Sequence, residues 1–296
     1  MTVILPANLF AKRIVSQLKT KHYDVILIST RLKDFKLKNK IQSHQVVHYI
    51  GSPTVSVLGI LTLLRFRLWN KKIVVSWIGY DIRRVTDIFF WKVLSRIFRN
   101  LIDVNITEDT KAIEKLQSIG IHTTLQPPPI YQIFPLKKLP NEKKVAVYLP
   151  DHKDIDFDFY QGPLIKKLVD DFPNIAFIIT GNSGRYFKNN KNVTCIKWTE
   201  NIEKIYEEVI TVIRLPKEDT TGATIIETLS MGRNMIASST NFPYCNIVTN
   251  YLELENSLMK IIKNPTLNIE GSRYVHTHYD NDKLTDRLIS IYNSLI

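Results

Sequence analysis

The densest chemistry in the sequence lies in Arg214-Leu-Pro-Lys-Glu-Asp219-Thr-Thr-Gly222-Ala-Thr-Ile-Ile-Glu227-Thr-Leu-Ser-Met-Gly232-Arg-Asn-Met-Ile-Ala. A loop bearing Thr220, Thr221 and Gly222 opens a helix. The first N–H groups of that helix have no intrahelical acceptor and can receive the oxygens of an anion such as a phosphate. Glu227 follows about five residues in, less than two turns at 3.6 residues per turn. A carboxylate there can accept hydrogen bonds from a ribose diol while the backbone of Thr221, Gly222 and Ala223 holds a diphosphate. An ordinary capped strand–helix unit with a surface glutamate has the same spacing, so the pattern alone leaves both readings open.

Other reactive side chains follow predicted strands. They are Lys153, the glycine turn Gly181-Asn-Ser-Gly184-Arg185, Trp198 and, in the first half, Asp81 in Ser76-Trp-Ile-Gly-Tyr-Asp81. Lys153 and Arg185 can offset anionic charge or stand as solvated surface cations. Trp198 can stack on a base or sit as a partly buried core indole. Asp81 can orient a ligand or cap a helix. Asp154, Asp156 and Asp158 form Asp-x-Asp pairs, read here as loop acids rather than metal ligands. His276 and His278 lie two apart on a predicted helix and diverge by about 200°, so they do not share a metal. No metal site is expected, and neither a GxSxG elbow nor a P-loop is present.

The elements that must position these groups alternate. Thr2–Leu5, Asp24–Ile28, Gln45–Ile50, Lys72–Trp77 and Ile102–Ile106 read as strands. Between and after them lie helical stretches at Leu9–Leu18, from Pro53 to Trp69, at Thr86–Phe98 and from Glu108 to Gly120. Gln126-Pro-Pro-Pro129, extended by Pro135 and Pro140, breaks the pattern as a stiff connector. The alternation then restarts with strands at Val145–Leu149, Ile175–Thr180, Val193–Lys197, Thr211–Leu215 and Asn234–Ala237. Helices are expected at Tyr160–Asp171, Glu203–Glu208 and Thr224–Met231, and the tail from Leu252 to Leu295 is largely helical. This order predicts an α/β protein of two parallel sheets, with domains over 1–140 and 141–280 and a last helix, 281–296, returning to the first. In such sheets ligands bind at the carboxyl ends of the strands, and two facing domains make a cleft.

Composition narrows the partners. The chain has 296 residues, 44% hydrophobic and 23% charged, which excludes a mostly disordered protein. Cys195 and Cys245 cannot build a disulfide scaffold or a four-cysteine zinc site. The net charge of +12 is concentrated: residues 1–140 hold 22 Lys and Arg against 8 Asp and Glu, and the remainder nets −2. Anionic partners are implied for the first half. The apolar stretch Val55–Leu68, rimmed by Lys33, Lys36, Lys38, Lys40, Arg65, Arg67, Lys71 and Lys72, suits an anionic membrane surface or a core helix with a solvated edge. The start of the chain carries no secretory signal, and the uncharged run from Ile41 to Leu64 is broken by Gly51-Ser-Pro53, so a cytoplasmic protein that can touch a membrane is expected.

In the region 214–237, Asp219, Gly222, Glu227, Gly232 and the strand Asn234–Ala237 resemble the Glu-x7-Glu signature of retaining glycosyltransferases of the GT-B fold, family 4 above all. Here the first acid is Asp219 where the signature has Glu. Trp77-Ile-Gly-Tyr-Asp81 is similar to the family's Trp-x-Gly-x-Asp segment, and Phe172-Pro-Asn-Ile-Ala-Phe-Ile-Ile-Thr-Gly181 to the segment entering the second strand of its donor domain. The glycine pair usual after strand one is replaced by Pro6-Ala-Asn8. The resemblance implies two Rossmann-like domains facing across a cleft. It also implies transfer of a sugar from a nucleotide-sugar, as co-substrate and with no other cofactor, to a sugar, glycan or lipid-linked acceptor with retention. On that reading Asp219 approaches the donor sugar, Glu227 the ribose, Trp198 the base, and Lys153 and Arg185 the diphosphate; Gly181 lies in the donor site and Asp81 at the cleft. A nucleotide-sugar epimerase on the same fold is the nearest rival. A catalytically inactive sugar-nucleotide binder is another. A basic nucleic-acid-binding protein is a third, disfavoured because the cations lack interleaved stacking aromatics.

Overall fold

The computed structural model describes residues 2–28, 39, 41–151, 154–218 and 221–296. The chain divides into two compact units, Met1–Tyr131 with Tyr279–Ile296, and Gln132–His278.

The first unit is built on a parallel sheet with strand order β2-β1-β3-β4-β5-β6 among the described residues. Its strands are β1 (Thr2–Leu5), β2 (Val25–Leu27), β3 (Val46–Ile50), β4 (Lys72–Trp77), β5 (Val104–Thr107) and β6 (Thr124–Leu125). β1, β3 and β4 are buried along almost their whole length, which is why they read as continuous β-branched runs rather than alternating ones. Helix α1 (Leu9–Thr20) starts where the Asn8 side chain accepts the Ala11 N–H at 2.8 Å, and it buries Ala11, Ile14, Val15 and Leu18 at helical spacing. A 3-10 turn (Pro53–Val55) precedes α2 (Val57–Leu68). The single helix expected over 86–98 is two, α3 (Tyr80–Asp87) and α4 (Phe89–Phe98), because Ile88 between them has extended dihedrals. α5 (Thr110–Ser118) leads to the edge strand β6. Val3, Leu5, Val47, Tyr49, Leu63, Phe66, Ile73, Val75 and Trp77 form the centre of this unit's core.

The second unit is again built on a parallel sheet, with strand order β12-β11-β10-β7-β8-β9, so that two strands rather than one lie on the short side of its first strand among the described residues. The strands are β7 (Lys144–Tyr148), β8 (Phe177–Thr180), β9 (Val193–Ile196), β10 (Val209–Arg214), β11 (Asn234–Ala237) and β12 (Asn246–Ile247). The helices are α6 (Asp154–Phe159), α7 (Gly162–Asp171), α8 (Ile202–Glu207), α9 (Ala223–Ser230), α10 (Tyr251–Lys263) and α11 (Ile269–His278). The acids 154, 156 and 158 belong to α6 rather than to a loop. Phe157, stacked on Tyr186 with ring centres 3.8 Å apart and packed over Gly162, gives that turn its buried anchor. The segment after the proline run is fastened to this unit by Arg233, which is fully buried and donates to the carbonyls of Lys137 at 2.8 Å, Lys138 at 3.0 Å and Tyr206 at 2.8 Å.

The last helix, α12 (Asn281–Asn293), belongs to the first unit. Asp280 caps it by accepting the N–H groups of Asp282 and Lys283. Leu284, Leu288 and Tyr292 form its buried face, and it packs on α1. The Tyr292 hydroxyl lies 2.6 Å from Nδ1 of His48 on β3, whose Nε2 is 2.7 Å from Ser76 Oγ on β4.

Candidate active site in the second unit

In the second sheet the chain runs outward from β7 in one direction through β8 and β9, and in the other through β10, β11 and β12. The carboxyl ends of β7 and β10 thus flank the point where strand order reverses, the usual ligand position in an open parallel sheet. Two loops and one helix start meet this edge.

On the β10 side the strand ends in Arg214. This cation is only 9% exposed, and its guanidinium lies 5.0 Å from the ring centre of Tyr148, the last residue of β7, and 5.3 Å from that of Tyr160. The two rings meet edge to face at 5.3 Å, so the arginine is held by aromatic faces. Beyond it, α9 begins at Gly222, whose φ of +61° a residue with a side chain rarely adopts and which makes no side-chain cap bond. Thr221, Gly222 and Ala223 therefore present a helix amino end. Glu227 sits on the fifth residue of α9, about 6 Å along the axis from the first at 1.5 Å per residue. It is buried, 6% exposed. Glu227 and Arg214 act on the same group. Burial first, and then the Glu227 charge, push the Tyr206 hydroxyl well above its ordinary pKa, and Arg214 works against them.

On the β8 side, Gly181 takes φ of +78°, where a residue with a side chain is strained, and a Cβ there would lie 3.3 Å from Pro150 Cα, crowding the place where the loops after β7 and β8 approach each other. Asp151, buried at the end of the first loop, accepts the Ser183 N–H at 2.9 Å and also the Ser183 hydroxyl. Arg185 donates to the Asp151 carbonyl at 3.2 Å, places Nε 3.4 Å from the Asp151 carboxylate, and lies over the Tyr186 ring at 4.6 Å. Gly181 and Arg185 are thereby fixed on the β8 side of the switch point.

The remaining expected residues distribute differently. Trp198 follows β9, the edge strand, and is 65% exposed, so it is a surface aromatic and not a core indole. Asp81 belongs to the first unit, where its buried carboxylate accepts the N–H groups of Ser52 at 2.7 Å, Ile78 at 3.0 Å and Ile82 at 3.0 Å. Burial pushes its pKa up to about 6 against the pull of those amides. That geometry fastens the loop after β3 to the start of α3. Lys153 and Asp219, with Thr220, lie outside the described residues.

Arg214 and Asp151 escaped the sequence reading as site residues. The available signal was an arginine closing the otherwise apolar or β-branched run Val-Ile-Thr-Val-Ile, where an unassisted charge is costly to bury.

No protein-family model matches the chain, and no curated protein matches it in sequence. Solved structures match it over nearly its full length. HepE (Alr3699) of Anabaena, in complex with UDP and glucose, superposes with a TM-score of 0.74 at 12% identity, covering 99% of this chain and 100% of that one. Sucrose-phosphate synthase from Thermosynechococcus elongatus gives 0.76 at 13% identity, covering 99% and 98%. A putative UDP-N-acetylglucosamine 2-epimerase from Listeria monocytogenes gives 0.60 at 9% identity, covering 99% and 95%. At these identities the likeness concerns the fold, which is the GT-B fold of glycosyltransferases.

Proposed function

We propose that this chain is a glycosyltransferase of the hexosyltransferase kind, moving a sugar from a nucleotide-sugar to a sugar, glycan or lipid-linked acceptor with retention at the anomeric carbon. The observation that carries the reading is the placement of Glu227 and Arg214 beside the uncapped start of α9, at the switch point of the second sheet. The resemblance of the segment 214–237 to the Glu-x7-Glu signature and the UDP complexes of the fold neighbour HepE support it.

On this reading the diphosphate meets the N–H groups of Thr221, Gly222 and Ala223, and Glu227 accepts the ribose hydroxyls. Departure of a nucleoside diphosphate leaves two or more negative charges on its oxygens. The α9 amides, Arg214 and Arg185 offset that charge without a metal, because they are in place before it develops, and Lys153 is the further cation on this reading. Asp219 approaches the hydroxyls of the transferred sugar, Trp198 offers a face to the base, Gly181 lets the backbone come close, and Asp81 holds the loops of the acceptor-binding first unit. A panel of nucleosides, nucleotides and nucleotide-sugars tests the reading by thermal shift. At least one nucleoside diphosphate and its sugar conjugate raise the melting temperature, and the free sugar does not; a flat panel rejects the assignment. The Listeria neighbour keeps epimerisation as the second reading. Incubation of a UDP-sugar without acceptor separates the two, since only an epimerase yields the epimer.

A further inference from the structure

The first unit carries apolar side chains that its own core leaves outside. α4 reads Phe-Phe-Trp-Lys-Val-Leu-Ser-Arg-Ile-Phe, yet the residue it buries is Ser95, whose hydroxyl lies 2.6 Å from that of Thr54. Trp91 and Phe98 are partly buried against the first unit's core, while Phe89, 79% exposed, Ile97, 62% exposed, and Phe90 face outward, as does Ile88 just before the helix. An amphipathic helix turns polar residues to solvent, whereas α4 keeps apolar ones on its outer side as well. α2 buries Ile60, Leu63 and Phe66 on one side and exposes Val57, Leu58, Leu61 and Leu68 on the other. Both helices pack on the same turn, Pro53–Val55.

What covers such a surface is decided by charge. Between residues 57 and 99 the chain has nine Lys and Arg and two acids, Asp81 and Asp87. Asp81 is buried, and Asp87 lies 3.4 Å from Arg83. A second copy of the chain would bring like charge against like charge at a self-complementary interface. A nucleic acid would satisfy the cations, but it offers nothing to Val57, Leu58, Leu61, Leu68, Ile88 and Ile97, which have no ring to stack. The bilayer interface supplies both halves, acyl chains for the apolar residues and anionic headgroups for the rim. No described helix is long and apolar enough to cross a membrane, so the contact lies in the interface plane.

We infer that the outer faces of α2 and α4 dock on an anionic lipid bilayer, with Phe89, Phe90, Ile97 and the exposed leucines below the headgroups and Arg84, Lys92 and Arg96 among the phosphates. This does not rest on the donor-site reading. The test is co-sedimentation of the full chain with vesicles of phosphatidylcholine alone and of phosphatidylcholine with phosphatidylglycerol, at about 0.15 M salt. Binding to the anionic vesicles exceeds binding to the neutral ones by roughly tenfold or more. The Phe89→Ser/Phe90→Ser variant, with every cation kept, loses roughly a hundredfold, the share expected when two aromatic side chains no longer enter an apolar phase. Leu61→Ser/Leu68→Ser reproduces the loss from α2. Three results overturn the inference: no binding to anionic vesicles, binding that both apolar variants leave unchanged, or a dimer in solution that these variants dissociate.

Discussion

Arg214 and Glu227 are charged groups that apolar surroundings would otherwise reject, and the proposed site is built around them. Arg214 is buried on the faces of Tyr148 and Tyr160, and Glu227 lies in the same electrostatic neighbourhood around Tyr206. If the cation's task is to meet a diphosphate, its removal is felt by charged ligands only. Arg214→Met is expected to weaken binding of the cognate nucleoside diphosphate by roughly tenfold to a hundredfold, the loss of one or two charge-assisted hydrogen bonds, and to leave the uncharged nucleoside unaffected. Arg214→Lys recovers part of the loss, because it restores charge but not the planar stack. Titration calorimetry with both ligands measures this; equal weakening of the two would assign Arg214 a packing role. At this scale the helix start at Gly222 and the Glu227 spacing were legible, since both are local. Arg214 was not, because its partners lie on other elements and only the folded sheet brings Tyr148 and Tyr160 beneath it.

At the scale of elements, the strands were the most legible parts. Thr2–Leu5, Lys72–Trp77 and Asn234–Ala237 stand as expected, because strands buried on both faces must be continuously apolar or β-branched. The two-residue strands β6 and β12 left no such trace. α6 was hidden by its acids, with Phe157 as its buried anchor. One contact between elements has a measurable consequence. His48 on β3 is fully buried, with its ring nitrogens near Tyr292 and Ser76, and burial holds its pKa down at about 3. In the unfolded chain histidine protonates near about 6.5. Its contribution to stability is therefore whole above that pH and is lost as pH falls toward 3. Asp81 has the opposite sign: raised to about 6, its contribution is whole below the ordinary carboxylate pKa and is lost as pH rises through 6. Between about pH 4 and 6 the two slopes oppose and nearly cancel. His48→Gln removes one of them, so stability should then fall with rising pH by about 1 kcal/mol per unit relative to the parent. Urea unfolding of both proteins across that range checks it, and parallel slopes would contradict the buried neutral imidazole.

At the scale of the whole molecule, two six-stranded parallel sheets differ in charge, one unit strongly basic and the other near neutral in its sequence. The α/β class and the presence of a parallel sheet on each side of Gln126-Pro-Pro-Pro129 were legible from the alternation of runs, while the different strand orders were not. The tie from the far end of the chain to β3 is a matter of three-dimensional packing. Because Tyr292 and Leu288 are buried in the first unit, ending the chain at residue 278 should speed hydrogen exchange at the β1 and β3 amides while those of β7 and β10 keep their protection. Uniform loss, or none, would contradict the assignment of α12 to the first unit's core. The central claim, however, is that the start of α9 and Glu227 hold a nucleotide-sugar. Its most direct test is calorimetric titration of that ligand into the parent chain and into Glu227→Ala, with circular dichroism confirming that both are folded. Loss of two hydrogen bonds to a carboxylate is expected to weaken binding by roughly a hundredfold or more, to the point of no detectable heat. An affinity equal to the parent's would contradict the account.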